Sequence, residues 1–309
     1  MKDVVIIGAG PAGLTAAIYA RRAGLSVDII EKNIYGGQTA IIDTIENYPG
    51  FKKISGFEFS TVLHEQVENL GAEFIFSQVK EVDFSGVEKY ITTSDGKTIS
   101  ALSVVIANGL KRRELGCRGE KQFLGRGVSY CATCDGAFFK DKTVIVVGGG
   151  NTALEDALYL SNICKSVTLI VRKNHFRAEK ALSDAVFEKE NIDVKFNTNV
   201  KEIAGEKVVN KVILNCEENE EIFSVDGVFI SIGYQPDNDI FKNKINMDSY
   251  GYFIAGEDCN TNVPGVFVAG DCRIKPLRQI ATAISDGAVA GNAAASYIST
   301  LVSVNKLKI

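Results

Sequence analysis

Two kinds of hydrophobic pattern alternate along the chain. Short, continuous runs of apolar and β-branched residues read as strands buried on both faces. Longer segments with apolar residues every three to four positions read as helices. The first run, Val4-Val5-Ile6-Ile7, breaks into Gly8-Ala9-Gly10-Pro11-Ala12-Gly13 and is followed by a helix over Leu14–Ala23 and a strand over Ser26–Ile30. Laying Lys2–Lys32 over Lys142–Arg172 gives a second copy of the same unit. There Val144–Val147 runs into Gly148-x-Gly150-x-x-Ala153, a helix from Leu154 to about Asn162 and a strand over Ser166–Ile170.

Between the two copies lie a Gly/Asn/Pro-rich stretch (Tyr35–Gly56), an amphipathic helix (Phe57–Leu70) and strands expected over Glu73–Asp83, Tyr90–Thr93 and Val104–Ala107. A similar series follows the second copy and ends in the strand Gly227–Gly233. The last segment, Gly265–Asp271 and a small-residue helix over about Gln279–Ser299, needs a sheet to pack on and is assigned to the first domain. The expected fold is α/β: two Rossmann-like, three-layer dinucleotide-binding domains, the second inserted into the first. The expected boundaries are 1–113 with 242–309 for the first and 114–241 for the second. The inserted domain is expected to swivel on crossings near Asn108-Gly109 and Gly233-Tyr234.

Composition narrows the function classes. The 309 residues exceed the roughly 150-residue prior for one domain, which suits two. A net charge of −4, from 34 basic and 38 acidic residues, offers no excess for nucleic acid or anionic lipid, so neither partner is expected. No apolar run approaches a membrane span, and the apolar N-terminus breaks too soon for a signal peptide. Seven cysteines are an odd number in a chain large enough to fold without staples, so a reducing cytoplasm is expected. Five of them (117, 164, 216, 259, 272) read as buried small hydrophobes.

Strand, tight turn and helix in this order aim backbone N–H groups and a helix dipole at a pyrophosphate. Gly8, Gly10 and Gly13 do this in the first copy; Gly148, Gly150, Asn151, Thr152 and Ala153 do it in the second. One such loop is weak evidence, but two in the right context outweigh a mere turn. The copies differ where the ribose sits. Glu31 ends the first unit, accepts from ribose hydroxyls and repels a 2′-phosphate, which suits FAD or NAD. The matching position in the second is Val171, followed by Arg172, Lys173 and Arg177, which suits the 2′-phosphate of NADPH, a solvated basic loop being the plainer reading.

Cys131-Ala132-Thr133-Cys134 has the spacing of a redox disulfide and also of half a zinc site. Zinc needs two further ligands; there is no second such pair, and the two histidines are His64, expected on a solvated helix face, and His175 in the basic loop. No metal is expected. Asp135 could give or take a proton during thiol exchange, or merely favour a helix start.

GAGPAG at 8–13, CATCDG at 131–136, GGGNTA at 148–153, RKNHFRAEK at 172–180, AGDC at 269–272 and RQIATA at 278–283 together resemble the bacterial-type, low-molecular-weight thioredoxin reductases, over essentially the whole chain. The resemblance implies a cytoplasmic flavoprotein homodimer that passes electrons from NADPH through FAD and a redox-active dithiol to thioredoxin. It implies an FAD site of Gly8, Gly10, Pro11, Ala12, Gly13, Glu31, Gly37, Gln38, Asn47, Val79, Gly270, Asp271, Arg278, Gln279 and Ile280. It makes Cys134 the cysteine nearer the flavin, Cys131 the thiol that exchanges with thioredoxin, and Asp135 the general acid. Arg126-Gly127 and Phe138 fall in stretches that resemble the thioredoxin-docking surface.

Two positions depart from the family's pattern. Its basic motif reads His-Arg-Arg-x-x-x-Arg, against Val171-Arg172-Lys173-x-x-x-Arg177 here, one guanidinium fewer for the 2′-phosphate. Its Ala-Thr-Gly-Ala turn is Ala107-Asn108-Gly109-Leu110 here. Competing readings on the same scaffold are a ferredoxin-linked or oxidase-type flavin disulfide oxidoreductase, and a non-catalytic redox-sensing module. The GGGNTA loop and basic cluster oppose the former, the retained Cys-x-x-Cys the latter.

Overall fold

The computed structural model describes residues 1–42, 44–216 and 219–306. In chain order the elements are β1 (Lys2–Ile7), α1 (Pro11–Arg22), β2 (Val27–Glu31), α2 (Gly56–Asn69), β3 (Glu73–Phe76), β4 (Val79–Asp83), β5 (Lys89–Thr93) and β6 (Thr98–Ile106). There follow β7 (Leu110–Arg112), β8 (Val128–Ser129), α3 (Ala132–Asp135), β9 (Thr143–Val147), α4 (Asn151–Ser161), β10 (Ser166–Ile170), α5 (Lys180–Phe187) and β11 (Ile192–Lys195). The last are β12 (Thr198–Gly205), β13 (Val209–Cys216), β14 (Asn219–Ser224), β15 (Gly227–Ile230), β16 (Tyr234–Pro236), β17 (Val266–Val268) and α6 (Ile280–Lys306).

The chain divides into two compact units, Met1–Lys111 with Gln235–Ile309, and Arg112–Tyr234. The two crossings pair as a short ribbon, β7 with β16. The second unit ends at Tyr234, where the sequence reading placed the crossing, and short of the boundary at residue 241 that it gave the inserted domain. The intervening residues are anchored in unit 1: Asn238 donates to the carbonyls of Gly251 and Cys272, and Phe241 is fully buried edge-on to Phe253.

Unit 1 is built on the sheet β3-β2-β1-β6-β5-β4, with β17 also paired to β6. β1, β2, β3, β6 and β17 run parallel, while β4 and β5 form an antiparallel meander. Strand alternation sorts the core. Val4 and Ile6 pack with α1 and α6 on one face, and Val5 and Ile7 pack with Phe241 and Phe253 on the other. The strand expected over Glu73–Asp83 is two, because β3 ends beside β2 and the chain then turns to enter the meander at Val79. The C-terminal helix is longer than its small-residue pattern suggested.

Unit 2 stacks three layers. Its parallel sheet β11-β10-β9-β15-β8 lies between helices and the antiparallel sheet β12-β13-β14. Val144 and Val146 of β9 face Leu154, Ala157 and Leu160 of α4, whereas Ile145 and Val147 face Ile203, Val212 and Leu214 of the antiparallel sheet. Both dinucleotide-type loops leave the carboxyl end of a central strand, where open α/β sheets bind ligands.

Candidate active site

In unit 1 the loop after β1 closes onto neighbouring backbone so tightly that glycine is required. Gly8 has φ +106°, and a Cβ there would sit 2.4 Å from the Ala107 carbonyl; one on Gly13 would sit 1.9 Å from the Gly8 carbonyl. Gly10, the N-cap of α1, is different: a Cβ there would meet nothing within 4 Å, and no side chain caps the helix. The first N–H groups of α1 therefore have no side-chain cap, with Pro11 at its first turn and Ala12 buried beneath. Glu31 is buried and braces this loop, accepting from Ala9 N at 2.8 Å and Asn33 N at 2.9 Å. A carboxylate has about four acceptor positions, so capacity for ribose hydroxyls is left.

The structure brings most of the other expected FAD residues to this edge. Gly36 N donates to Ala9 O at 2.7 Å, which seats the turn carrying Gly37 and Gln38 beside the loop. Asn47 and Gln279 meet, Nδ2 to Oε1, at 3.1 Å, next to Ile280 at the start of α6. Arg278 reaches the carbonyl of Asp271 at 3.3 Å and lies over the Tyr252 ring. The Val79 side chain instead belongs to the buried cluster with Ile7 and Ile30.

Asp271 carries the clearest mark of a missing partner. Its Oδ1 is buried with no hydrogen-bond partner, and burial pushes its carboxyl above the usual carboxylate range against the pull of Lys275 and Arg278. An uncapped helix start for phosphate and an unsatisfied acceptor for hydroxyls fit a dinucleotide.

Behind Asp271 lies a group that the sequence reading missed. Asp286 accepts from Gly270 N at 2.9 Å, from Arg273 Nε at 2.8 Å and Nη2 at 2.7 Å, and from Lys275 Nζ at 2.8 Å. All three side chains are almost completely buried, and the carboxylate fixes the turn from which Asp271 projects. The signal was available: Asp286 is the one acidic residue in an otherwise apolar, small-residue helix, and buried charges come paired.

In unit 2, Gly148 makes the same close approach, with a Cβ there 2.3 Å from the Ser231 carbonyl. Gly150 caps α4 with open space around it, and Ala153 packs beneath. The basic loop is held against this glycine turn by Arg177 N donating to Gly149 O at 2.7 Å. Arg172, Lys173 and Arg177 are exposed, and among the described residues none has a carboxylate within 4.0 Å. Asn151 is occupied on both sides by Glu179, and Thr152 is exposed.

Cys131 and Cys134 form a disulfide at the start of α3. Cys131 is the N-cap, and Cys134 N points at its sulfur from 3.2 Å, so a thiolate formed there receives a backbone donor and the helix start. Asp135 is oriented by Ser129, a buried residue of β8 not anticipated from sequence. The Ser129 hydroxyl donates to Asp135 Oδ2 at 2.6 Å and accepts from Cys131 N at 3.0 Å. The other cysteines contrast with this pair. Burial pushes the Cys117 and Cys164 thiols up to about 11 and those of Cys259 and Cys272 to about 12. Cys117 and Cys216 are only half-buried. Phe138 is exposed, while Arg126 bonds to the Gln122 carbonyl. His64 is not the solvated residue expected: it is mostly buried, stacked on Tyr35 with ring centroids 3.9 Å apart and flanked by Phe74.

Residues 2–287 match the family model for pyridine nucleotide-disulphide oxidoreductases. The chain is 44% identical over 302 residues to thioredoxin reductase of Listeria monocytogenes, covering 97% of this chain and 94% of that protein. It is likewise 44% identical to that of Bacillus subtilis, over 97% and 95%. The crystal structure of Lactococcus lactis thioredoxin reductase, in its FR conformation, superposes with a TM-score of 0.89 at 37% identity, covering 97% of this chain and 100% of that one. Two dinucleotide-type loops, a redox disulfide and similarity along nearly the whole length leave one conclusion: the chain belongs to the pyridine nucleotide-disulphide oxidoreductase family, among its thioredoxin reductases.

Proposed function

We propose that this chain is an NADPH-dependent thioredoxin-disulfide reductase in which electrons from NADPH reach thioredoxin through FAD and the Cys131–Cys134 pair. The observation that carries this is the Cys131–Cys134 disulfide at a helix start beside Asp135, in the same unit as the second glycine loop. FAD, when bound, takes an electron pair from a nicotinamide and delivers it to a disulfide.

Unit 1 would hold FAD, the uncapped start of α1 taking its pyrophosphate, Glu31 the adenosine ribose and Asp271 the flavin side. Unit 2 would hold NADPH, with Arg172, Lys173 and Arg177 at the 2′-phosphate. Two electrons and two protons convert the Cys131–Cys134 bond to a dithiol. Cys134 lies nearer the flavin in this reading, and Asp135, held by Ser129, holds or delivers the proton its sulfur gains or loses. The Cys131 thiolate then attacks the partner disulfide to form a mixed disulfide. Cys134 attacks Cys131 in turn, releasing the reduced partner and restoring the original bond. Thioredoxin is the disulfide substrate, Phe138 belongs to the surface that receives it, and the protein works as a cytoplasmic homodimer.

The test is to supply the flavin-loaded protein and thioredoxin with either NADPH or reduced ferredoxin, without oxygen, and to count thiols formed. Two thiols per NADPH support the proposal. Thiols from ferredoxin alone would move the chain to the ferredoxin-linked alternative. Sedimentation of the purified protein tests the homodimer.

A further inference from the structure

The buried charges of unit 1 are accounted for. Asp28 pairs with Lys2 at 2.8 Å, Lys89 donates to the carbonyls of Phe84 and Gly86, Asp286 holds Arg273 and Lys275, and Glu31 braces the glycine loop. Unit 2 has one that stands apart. Glu120, 1% exposed, is the most deeply buried charged residue described there, and among the described residues no cation lies within 4.0 Å of it. The cations beside it in sequence are paired elsewhere, Lys121 with Glu114 at 2.9 Å and Arg118 with Glu202 at 3.6 Å. A buried acid without a counterion persists only where hydrogen bonds replace the water it has lost.

Three donors do so here. Leu115 N donates to Oε1 at 2.8 Å, Gly116 N to Oε2 at 2.7 Å, and the Tyr130 hydroxyl to Oε1 at 2.7 Å. The two backbone donors take different oxygens, so both oxygens must accept; a glutamine would set its NH2 against one of the two N–H groups. Burial, and then the bond to Glu120, hold the Tyr130 phenol above its ordinary value, so it stays protonated and donates. The carboxylate thereby ties together three stretches of unit 2: the segment by which the chain enters it, its own turn, and the residue just ahead of Cys131.

Tyr130 is where this network reaches the redox pair. Val128 and Tyr130 pack with the buried cluster of Ile145 and Ile203, while Ser129 between them faces the other way and donates to Asp135. β8 pairs only two residues with β15, Val128 with Val228 and Ser129 with Phe229, so the ladder stops short of Cys131. The strand end that carries Cys131 is therefore held by side chains on both faces, each bonded to a carboxylate. Opening the disulfide requires Cys131 to turn toward a partner and later to be met again by Cys134. A fixed strand end lets the sulfur move by side-chain rotation alone, and it lets the ring close without first losing backbone freedom.

We propose that Glu120 is a positioning residue of the redox centre: through the Tyr130 hydroxyl it fixes the backbone that bears Cys131, and so sets how readily the Cys131–Cys134 dithiol closes to the disulfide. This rests on the reading that the pair exchanges with a disulfide substrate.

The test is the thiol–disulfide equilibrium of the flavin-loaded protein in glutathione buffers without oxygen. There the protein dithiol and one oxidised glutathione exchange with the protein disulfide and two reduced glutathiones. Acid quenching, maleimide labelling and mass spectrometry count the free thiols at Cys131 and Cys134. Tyr130→Phe keeps the ring and removes the hydroxyl. It should lower the half-oxidation ratio, reduced glutathione squared over oxidised, roughly 3- to 10-fold, a coupling ordinary for groups in contact. Glu120→Gln should lower it at least as far. Lys121→Ala, which changes the charge beside Glu120 but none of its three bonds, should leave the ratio unchanged. A native ratio in Tyr130→Phe or Glu120→Gln, whatever the unfolding temperature, or an equal shift in Lys121→Ala, overturns the proposal. A native protein that leaves thioredoxin oxidised in the presence of NADPH defeats the functional reading instead.

Discussion

Replacing Asp286 with asparagine should destabilise unit 1 severely. Among the described residues this carboxylate alone pairs with both Arg273 and Lys275; the other acid paired with Arg273, Glu257, has an exposed side chain. Removing one partner of a buried ion pair while leaving the other costs about 3–5 kcal/mol, because the remaining charge stays buried and uncompensated. For a unit of this size that corresponds to a fall of about 6–20 °C in its unfolding temperature. The pH dependence follows from the same contacts. Burial raises the Asp286 carboxyl, but hydrogen bonds from Arg273, Lys275 and Gly270 outweigh it and hold the group below its ordinary value. A depressed carboxylate contributes its full stability above the unfolded value near ~3.9 and loses it as pH falls through the folded one. Acid unfolding of the native unit below about pH 4 should therefore be partly this group's protonation, a component absent from Asp286→Asn. Flavin-free protein followed by circular dichroism against temperature and pH measures both effects. A variant within about 0.5 kcal/mol of the parent, an ordinary surface substitution's effect, would refute the reasoning.

Three further outcomes follow. The Arg172→Ala, Arg177→Ala double variant should lose two charge-assisted hydrogen bonds of about 1.5–3 kcal/mol each, or roughly 10² to 10⁴ in preference for NADPH over NADH; an unchanged ratio of kcat/KM values removes the cluster from the site. Gly13→Ala drives a methyl group to 1.9 Å from the Gly8 carbonyl, so the purified variant should lack flavin colour, and a full flavin-to-protein absorbance ratio would contradict the loop geometry. After mild reduction, a maleimide at neutral pH should modify Cys131 and Cys134 rapidly. Cys164, Cys259 and Cys272, buried and held at about 11 to 12, should react only on unfolding; mass spectrometry that finds them labelled in the folded protein refutes this.

What the sequence makes legible is what local chemistry determines. Both glycine loops could be read because a strand-turn-helix with close backbone approach admits only Gly or Ala at fixed offsets, as Gly8, Gly13 and Gly148 show. Cys131 and Cys134 could be read because a ring-closing pair is contiguous. What depends on distant partners could not. Ser129 is one hydroxyl in a short strand until Asp135 folds back over it, and Asp286 meets Arg273 and Lys275 only once α6 packs on the turn after β17. His64 departs from the expected solvated face because Tyr35 and Phe74, both outside its helix, cover it. The Asn108 departure was visible but mute, since its amide donates to Asn238 and to the Asp237 carbonyl, both remote in sequence.

The most direct test of the electron path compares native protein with Cys131→Ser, both loaded with FAD and titrated with NADPH without oxygen before thioredoxin is added. NADPH should bleach the flavin in both. Thioredoxin should then restore the colour and gain thiols in the native protein alone. Thioredoxin reduction by Cys131→Ser at the native rate, or a flavin that NADPH leaves oxidised in the native protein, would contradict the account.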